Sequence, residues 1–146
     1  MKTVQQISIF LENKPGQLMD FTKVLSDNNI DMRTLTLAEA SEFGIVRVIV
    51  RETVRAEAAL KAAGYISAIT QVIAVVVPDK PGGLYGVLKL LSDQNVNIDY
   101  TYAFTGKKGE GAYNVLHVAP EDVKAAVEAL ESHGVRIVPQ EELDTL

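Results

Sequence analysis

Lys14-Pro15-Gly16-Gln17-Leu18 and Lys80-Pro81-Gly82-Gly83-Leu84 each join a β-rich run to an amphipathic one, and turns of this kind can do chemistry. The first N–H groups of a helix have no intrahelical acceptor and lie at its positive end, so they favour an anion. Gly16 and Gly82 carry no side chain and let a ligand approach closely. Asn13 and Asp79 precede the turns, while Asp31 and Asn97 follow the helical stretches at matched positions. Their amide and carboxylate oxygens can accept hydrogens from a cation. The plainer reading of Asn13 and Asp79 is turn or helix capping, and polar strand starts are common enough to account for Asp31 and Asn97.

The elements that must position these residues occur twice. From Lys14–Arg33 to Lys80–Asp99, a shift of 80 − 14 = 66 residues, nine of twenty positions are identical. Two copies of one unit therefore organise the chain. Each copy opens with a strand, Ile7–Leu11 or Val72–Val77, followed by the turn. Leu18, Phe21, Val24 and Leu25, and then Leu84, Val87, Leu88 and Leu91, recur at helical spacing. Polar clusters at 27–29 and 93–95 end these helices, and new strands begin at Ile30 and Val96. A turn containing Gly44, or the longer loop Thr105–Gly111, leads to a third strand, Ile45–Val50 or Tyr113–Val118, pairing as a hairpin. Second helices are expected over Thr53–Ala63 and Glu121–His133, with Gly64 and Gly134 past their ends. Short last strands at Ile66–Thr70 and Val135–Val138 complete βαββαβ twice. The fold class is α+β: two ferredoxin-like modules with antiparallel sheets, residues 1–69 and 70–146, with no flexible linker between them. The tail, Gln140–Leu146, reads as a short helical turn or a frayed end.

Composition narrows the function classes. The 146 residues are 47% hydrophobic and 23% charged, with a net charge of −5 and no basic run. That excludes the electrostatic footprint of a nucleic-acid or anionic-membrane partner. Cysteine is absent, so there is no disulfide framework, thiolate metal site or thiol catalysis. No run is long enough to span a bilayer and the start lacks a signal core, so a cytoplasmic protein is expected. The Gly106–Gly111 loop departs from a phosphate-loop order and joins two strands, so it reads as a hairpin loop with at most a lid role. His117 reads as a packed strand histidine and His133 as one complementing a helix end; neither has a companion at metal-ligand spacing. Tyr100, Tyr102 and Phe104 share one strand face, as core, module contact or wall of a site. No catalytic residue, metal or cofactor is expected.

Val77-Pro78-Asp79-Lys80-Pro81-Gly82, an apolar helix, and Asn95-Val96-Asn97-Ile98-Asp99 together resemble an ACT domain, the small-molecule-sensing βαββαβ module of amino-acid metabolism. Leu11-Glu12-Asn13-Lys14-Pro15-Gly16 with Asn29-Ile30-Asp31-Met32 resembles it again. The second phrase is most similar to the regulatory segment of aspartate kinases, the first to that of phosphoglycerate dehydrogenases. The resemblance spans the chain and leaves no room for a catalytic domain. It implies a free amino acid bound where the turn of one module meets the second-strand start of another. On that basis the ligand-binding residues are Asn13, Gly16, Gln17, Leu18, Asp31 and Met32 in the first copy and Asp79, Gly82, Gly83, Leu84, Asn97 and Ile98 in the second. Where some serine-sensing relatives carry a histidine before the turn, this chain has Glu12 and Pro78, so serine specificity is not implied.

A zwitterionic amino acid needs donors for its carboxylate beside acceptors for its ammonium, and these turns supply both. The copies exchange acid and amide: Asn13 with Asp31, Asp79 with Asn97. Turn-to-strand exchange between copies would pair Asp79 with Asp31 and Asn13 with Asn97, giving unequal sites. The expected function is that of a non-enzymatic regulatory protein, a homodimer through exposed sheet edges or faces, acting allosterically on a separate biosynthetic enzyme or a transcriptional partner. The alternatives are a regulatory small subunit of an enzyme such as acetolactate synthase, an enzyme in its own right, and a structural module without a ligand.

Overall fold

The computed structural model describes residues 2–38 and 41–146. The chain divides into two compact units whose main segments are Gln5–Thr70 and Gln71–Asp144.

In the first unit, period-two alternation along β1 (Val4–Glu12) buries Ile7, Ile9 and Leu11 on one face. Helix α1 (Gln17–Asp27) covers that face with Phe21 and Leu25. It ends where Asn29 takes φ +53°, and Ile30 N–H donates to Leu25 O at 2.9 Å. Asparagine tolerates this left-handed conformation better than most side chains. Strands β2 (Met32–Ala38) and β3 (Phe43–Val50) form an antiparallel hairpin, and β3 pairs antiparallel with β1, giving the order β2-β3-β1. A bulge at Arg33 shifts the β2 register. Helix α2 (Thr53–Ala62) adds Ala56 and Leu60 to the core. On the other side of β1, Phe10 N–H donates to Ile66 O at 3.2 Å.

The second unit repeats this plan. The last strand of copy one and the first of copy two are a single strand, β4 (Ser67–Val77), because no proline or glycine interrupts that stretch. Its later residues Ile73, Val75 and Val77 enter a core with Val87 and Leu91 of α3 (Gly83–Asp93). This helix also ends in an asparagine at positive φ, Asn95 at +58°, with Val96 N–H on Leu91 O at 3.0 Å. Strands β5 (Tyr100–Thr105) and β6 (Ala112–His117) give the order β5-β6-β4. A 3₁₀ turn at Pro120–Asp122 starts the second helix two residues later than expected, as α4 (Val123–Ser132), which contributes Ala126, Val127 and Leu130.

The expected strand Val135–Val138 is reduced to a bridge between Val75 and Ile137, held by Val76 N–H to Arg136 O (2.9 Å) and Val138 N–H to Ala74 O (2.8 Å). Pro139 cannot extend the ladder because it has no N–H. The tail then forms α5 (Gln140–Thr145), which buries Leu143 and is fastened by Glu142 to Arg136 through two contacts of 2.8 and 2.9 Å. Both modules are thus α+β ferredoxin-like units with antiparallel sheets. No helix among the described residues is long and apolar enough to cross a membrane.

Candidate functional site

In the first module the turn after β1 is closed by backbone. Asn13 N–H donates to Glu42 O at 2.8 Å and Gln17 N–H to Lys14 O at 3.3 Å. Gly16 is the N-cap of α1 at φ +86°, and no side chain caps the helix. Gln17 N–H is therefore engaged, and Leu18 and Met19 carry first-turn donors with no backbone acceptor among the described residues. Asn13, Gln17 and Leu18 line one cavity of about 190 Å³ with Glu12, Lys14 and Leu37. Gly44 also lines it, and any side chain there would stand 2.9 Å from Leu37 Cδ1. Lys14 Nζ lies 2.6 Å from Glu12 Oε2, and this hydrogen bond holds the ammonium above its usual pKa. The wall thus presents an anion and a cation side by side.

The second module builds the same turn with a different lining. Gly82 is the N-cap at φ +83°, Gly83 N–H donates to Lys80 O at 3.0 Å, and no side chain caps α3. Leu84 and Tyr85 carry the corresponding open donors, and both are exposed. Gly83 has a steric duty of its own: a Cβ there would lie 2.2 Å from Pro78 O. Pro78 replaces the Glu12 carboxylate, so this turn keeps Asp79 and Lys80 but lacks the neighbouring ion pair of the first.

The second-strand starts lie elsewhere. Asp31 and Met32 line a separate cavity of about 560 Å³, and Asp31 Oδ2 contacts Arg33 Nη1 at 3.1 Å. Along β3 the partner of Glu12 is Phe43 and that of Met32 is Val50. Those seven steps amount to about 23 Å at ~3.3 Å per residue. One amino acid therefore cannot touch Asn13 and Asp31 of the same module. The same holds in the second module, where Ala112 pairs with Val77 and His117 with Tyr100, about 17 Å apart by the same rise. Ile98 packs against the core, while Asn97 Nδ2 donates to Asp99 Oδ1 at 3.2 Å.

His117 has an acid partner that its place in the sequence does not display. Asp99 Oδ2 is 2.8 Å from its Nδ1, and Tyr100 stacks on its ring with centroids 4.7 Å apart. Tyr102 stacks on Tyr100 in turn, at 6.5 Å. The signal for this pair is the β5-β6 register, which puts Tyr100 opposite His117 and is invisible without the hairpin pairing. His133 Nδ1 lies 2.8 Å from Ala129 O at the end of α4. No cluster of three metal-ligating acids or histidines occurs among the described residues.

The sequence model for an ACT domain pair matches residues 2–145. The chain belongs to the ACT domain pair family. Protein BT0572 from Bacteroides thetaiotaomicron is 36% identical, with 99% of this chain and 98% of that one covered and a TM-score of 0.88. The regulatory subunit of aspartate kinase from Thermus thermophilus, in a ligand-free form, shares the fold at 15% identity, with 91% and 94% covered and a TM-score of 0.65. The corresponding Thermus flavus subunit is similar at 14% identity, with 90% and 93% covered and a TM-score of 0.62. No curated protein matches the chain.

Proposed function

We propose that this ACT domain pair is a non-enzymatic regulatory protein that binds a free amino acid at its strand-to-helix turns and transmits occupancy allosterically. The observation that carries this reading is the turn of the first module: Leu18 and Met19 N–H groups, without a backbone acceptor among the described residues, beside a cavity lined by Glu12, Asn13 and Lys14. The N–H groups and Lys14 suit a carboxylate, and the Glu12 carboxylate and Asn13 amide oxygen suit an ammonium. Gly16 keeps the approach open, and Gln17 borders the ligand through its side chain.

The distance between turn and strand start within a module supports a two-module site. Asp31 and Met32, or Asn97 and Ile98, complete the turn of another ACT module, with Asp79, Gly82, Gly83 and Leu84 forming the counterpart turn. An effector that favours one arrangement of modules shifts the population towards it, and a separate biosynthetic enzyme reads the change. The protein acts in the cytoplasm as a homodimer. The fold of the aspartate kinase regulatory subunits is consistent with that role.

A thermal-shift screen against the common amino acids tests the proposal. A ligand at about 100 times its Kd stabilises by ~2.7 kcal/mol, a shift of several degrees. The expected result is one such amino acid, or a close chemical group of them, with the response lost in Asn13→Ala. A flat response to every amino acid refutes the reading.

A further inference from the structure

The two modules fill matched space differently. Helices α2 and α4 are left by the same turn: Tyr65 N–H donates to Leu60 O at 3.0 Å, and Val135 N–H to Leu130 O at 3.0 Å. Gly64 and Gly134 precede them at φ +91° and +76°. Tyr65 and Val135 are therefore equivalent positions, as Phe21 and Val87 are by the 66-residue shift. In the first module the Tyr65 ring packs edge-on against Phe21, with centroids 6.0 Å apart and planes at 80°. In the second, both aromatic rings are replaced by isopropyl groups, and Gly86 stands where Asp20 stood.

The result is a groove of about 660 Å³, lined by Gly86, Val87, Leu90 and Val135 and by the cations Lys80 and Arg136. Arg136 is held by Glu142 and Glu110, the latter also lining the groove. Lys80 has no ion-pair partner among the described residues and makes the available cation. Mostly apolar walls with a few placed polar groups, here Lys80 beside the Arg136–Glu110 ion pair and His133, are the make-up of a small-molecule pocket.

We propose that this groove binds a small aromatic carboxylate, its ring taking the place that Tyr65 fills in the first module and its carboxylate meeting Lys80. The internal copy supplies the template: the same backbone frame packs an aromatic ring there with edge-to-face geometry. The groove also takes in Gly82 and Gly83 of the second turn, so this inference rests on the proposed function of that turn; the Asn13 cavity has a different lining, and loss of the thermal response in Asn13→Ala is read separately from loss of the methyl shifts in Val135→Tyr.

Methyl-detected NMR on the whole chain titrated with L-phenylalanine tests it, with L-alanine as the ringless comparison. The expected result is saturable ring-current shifts at the Val87, Leu90 and Val135 methyls with L-phenylalanine and not with L-alanine. Val135→Tyr, which restores the residue of the first module, abolishes these shifts. Lys80→Met weakens binding about two- to fivefold, the effect of one exposed charge. Shifts that saturate only elsewhere, no saturable change up to the solubility limit, or unchanged binding in Val135→Tyr would each overturn the proposal. The wild-type methyl map decides the matter even if that variant does not fold.

Discussion

Replacing Glu142 by Gln tests what fastens α5 to the second module. Glu142 contacts both terminal nitrogens of Arg136, at 2.8 and 2.9 Å, and Lys107 Nζ at 3.0 Å. The Arg136 hydrogen bonds, with help from Lys107, lower its pKa from 4.5 to about 2. A depression of that size corresponds to roughly 3 kcal/mol at ~1.4 kcal/mol per pH unit. The Arg136 and Lys107 side chains are 42% and 51% exposed, and screening by water brings the net contribution to about 1 kcal/mol. A carboxyl with a depressed folded-state pKa stabilises above its unfolded value, and that stabilisation fades as pH falls through the folded one. Urea unfolding of wild type and Glu142→Gln across pH 7 to 2 should therefore show a gap of ~1 kcal/mol above pH 4.5. The gap closes as pH approaches about 2. A gap that persists at pH 2, or none at pH 7, refutes the reasoning.

Other expectations rest on backbone geometry and packing. Gly83→Ala forces a Cβ against the Pro78 carbonyl and should cost more than 2 kcal/mol in chemical denaturation, whereas Gly82→Ala has open space and costs ~1–2 kcal/mol for its positive φ alone. Equal costs for the two variants would contradict the steric account. Asn29→Gly and Asn95→Gly should leave stability unchanged within ~0.5 kcal/mol, while valine at either position destabilises by over ~1 kcal/mol in the same assay. Leu60→Ala and Leu130→Ala each remove a fully buried side chain from one module's core and should cost about 2–5 kcal/mol, with hydrogen exchange rising first in the module that carries the change.

The duplicated phrase made the fold legible, because Pro-Gly turns, helical leucine spacing and glycine exits each act through local backbone chemistry. The exceptions arose where context overrode local preference. Val135–Val138 has strand composition, but Pro139 stops the ladder and the docking of Leu143 sets residues 140–145 as a helix. At the candidate site the turn residues could be located but their hydrogen-bond state could not. Gln17 N–H and Gly83 N–H close their own turns, which moves the open donors to Leu18 and Met19 and to Leu84 and Tyr85. Gly83 looked like a ligand-facing glycine, and its contact with Pro78 O shows a folding duty besides. The Asp99–His117 pair and the Val135 groove depend on strand register and on the absence of side-chain bulk, neither of which a linear pattern displays.

The turns themselves can be interrogated by tracking backbone amides in a ¹⁵N-resolved NMR titration of the whole chain with the amino acid selected by thermal shift. The Leu18 and Met19 N–H signals should move and saturate together with Asn13, since these groups meet the carboxylate and the ammonium. Saturation confined to residues far from both turns, with those amides unmoved, would contradict the account.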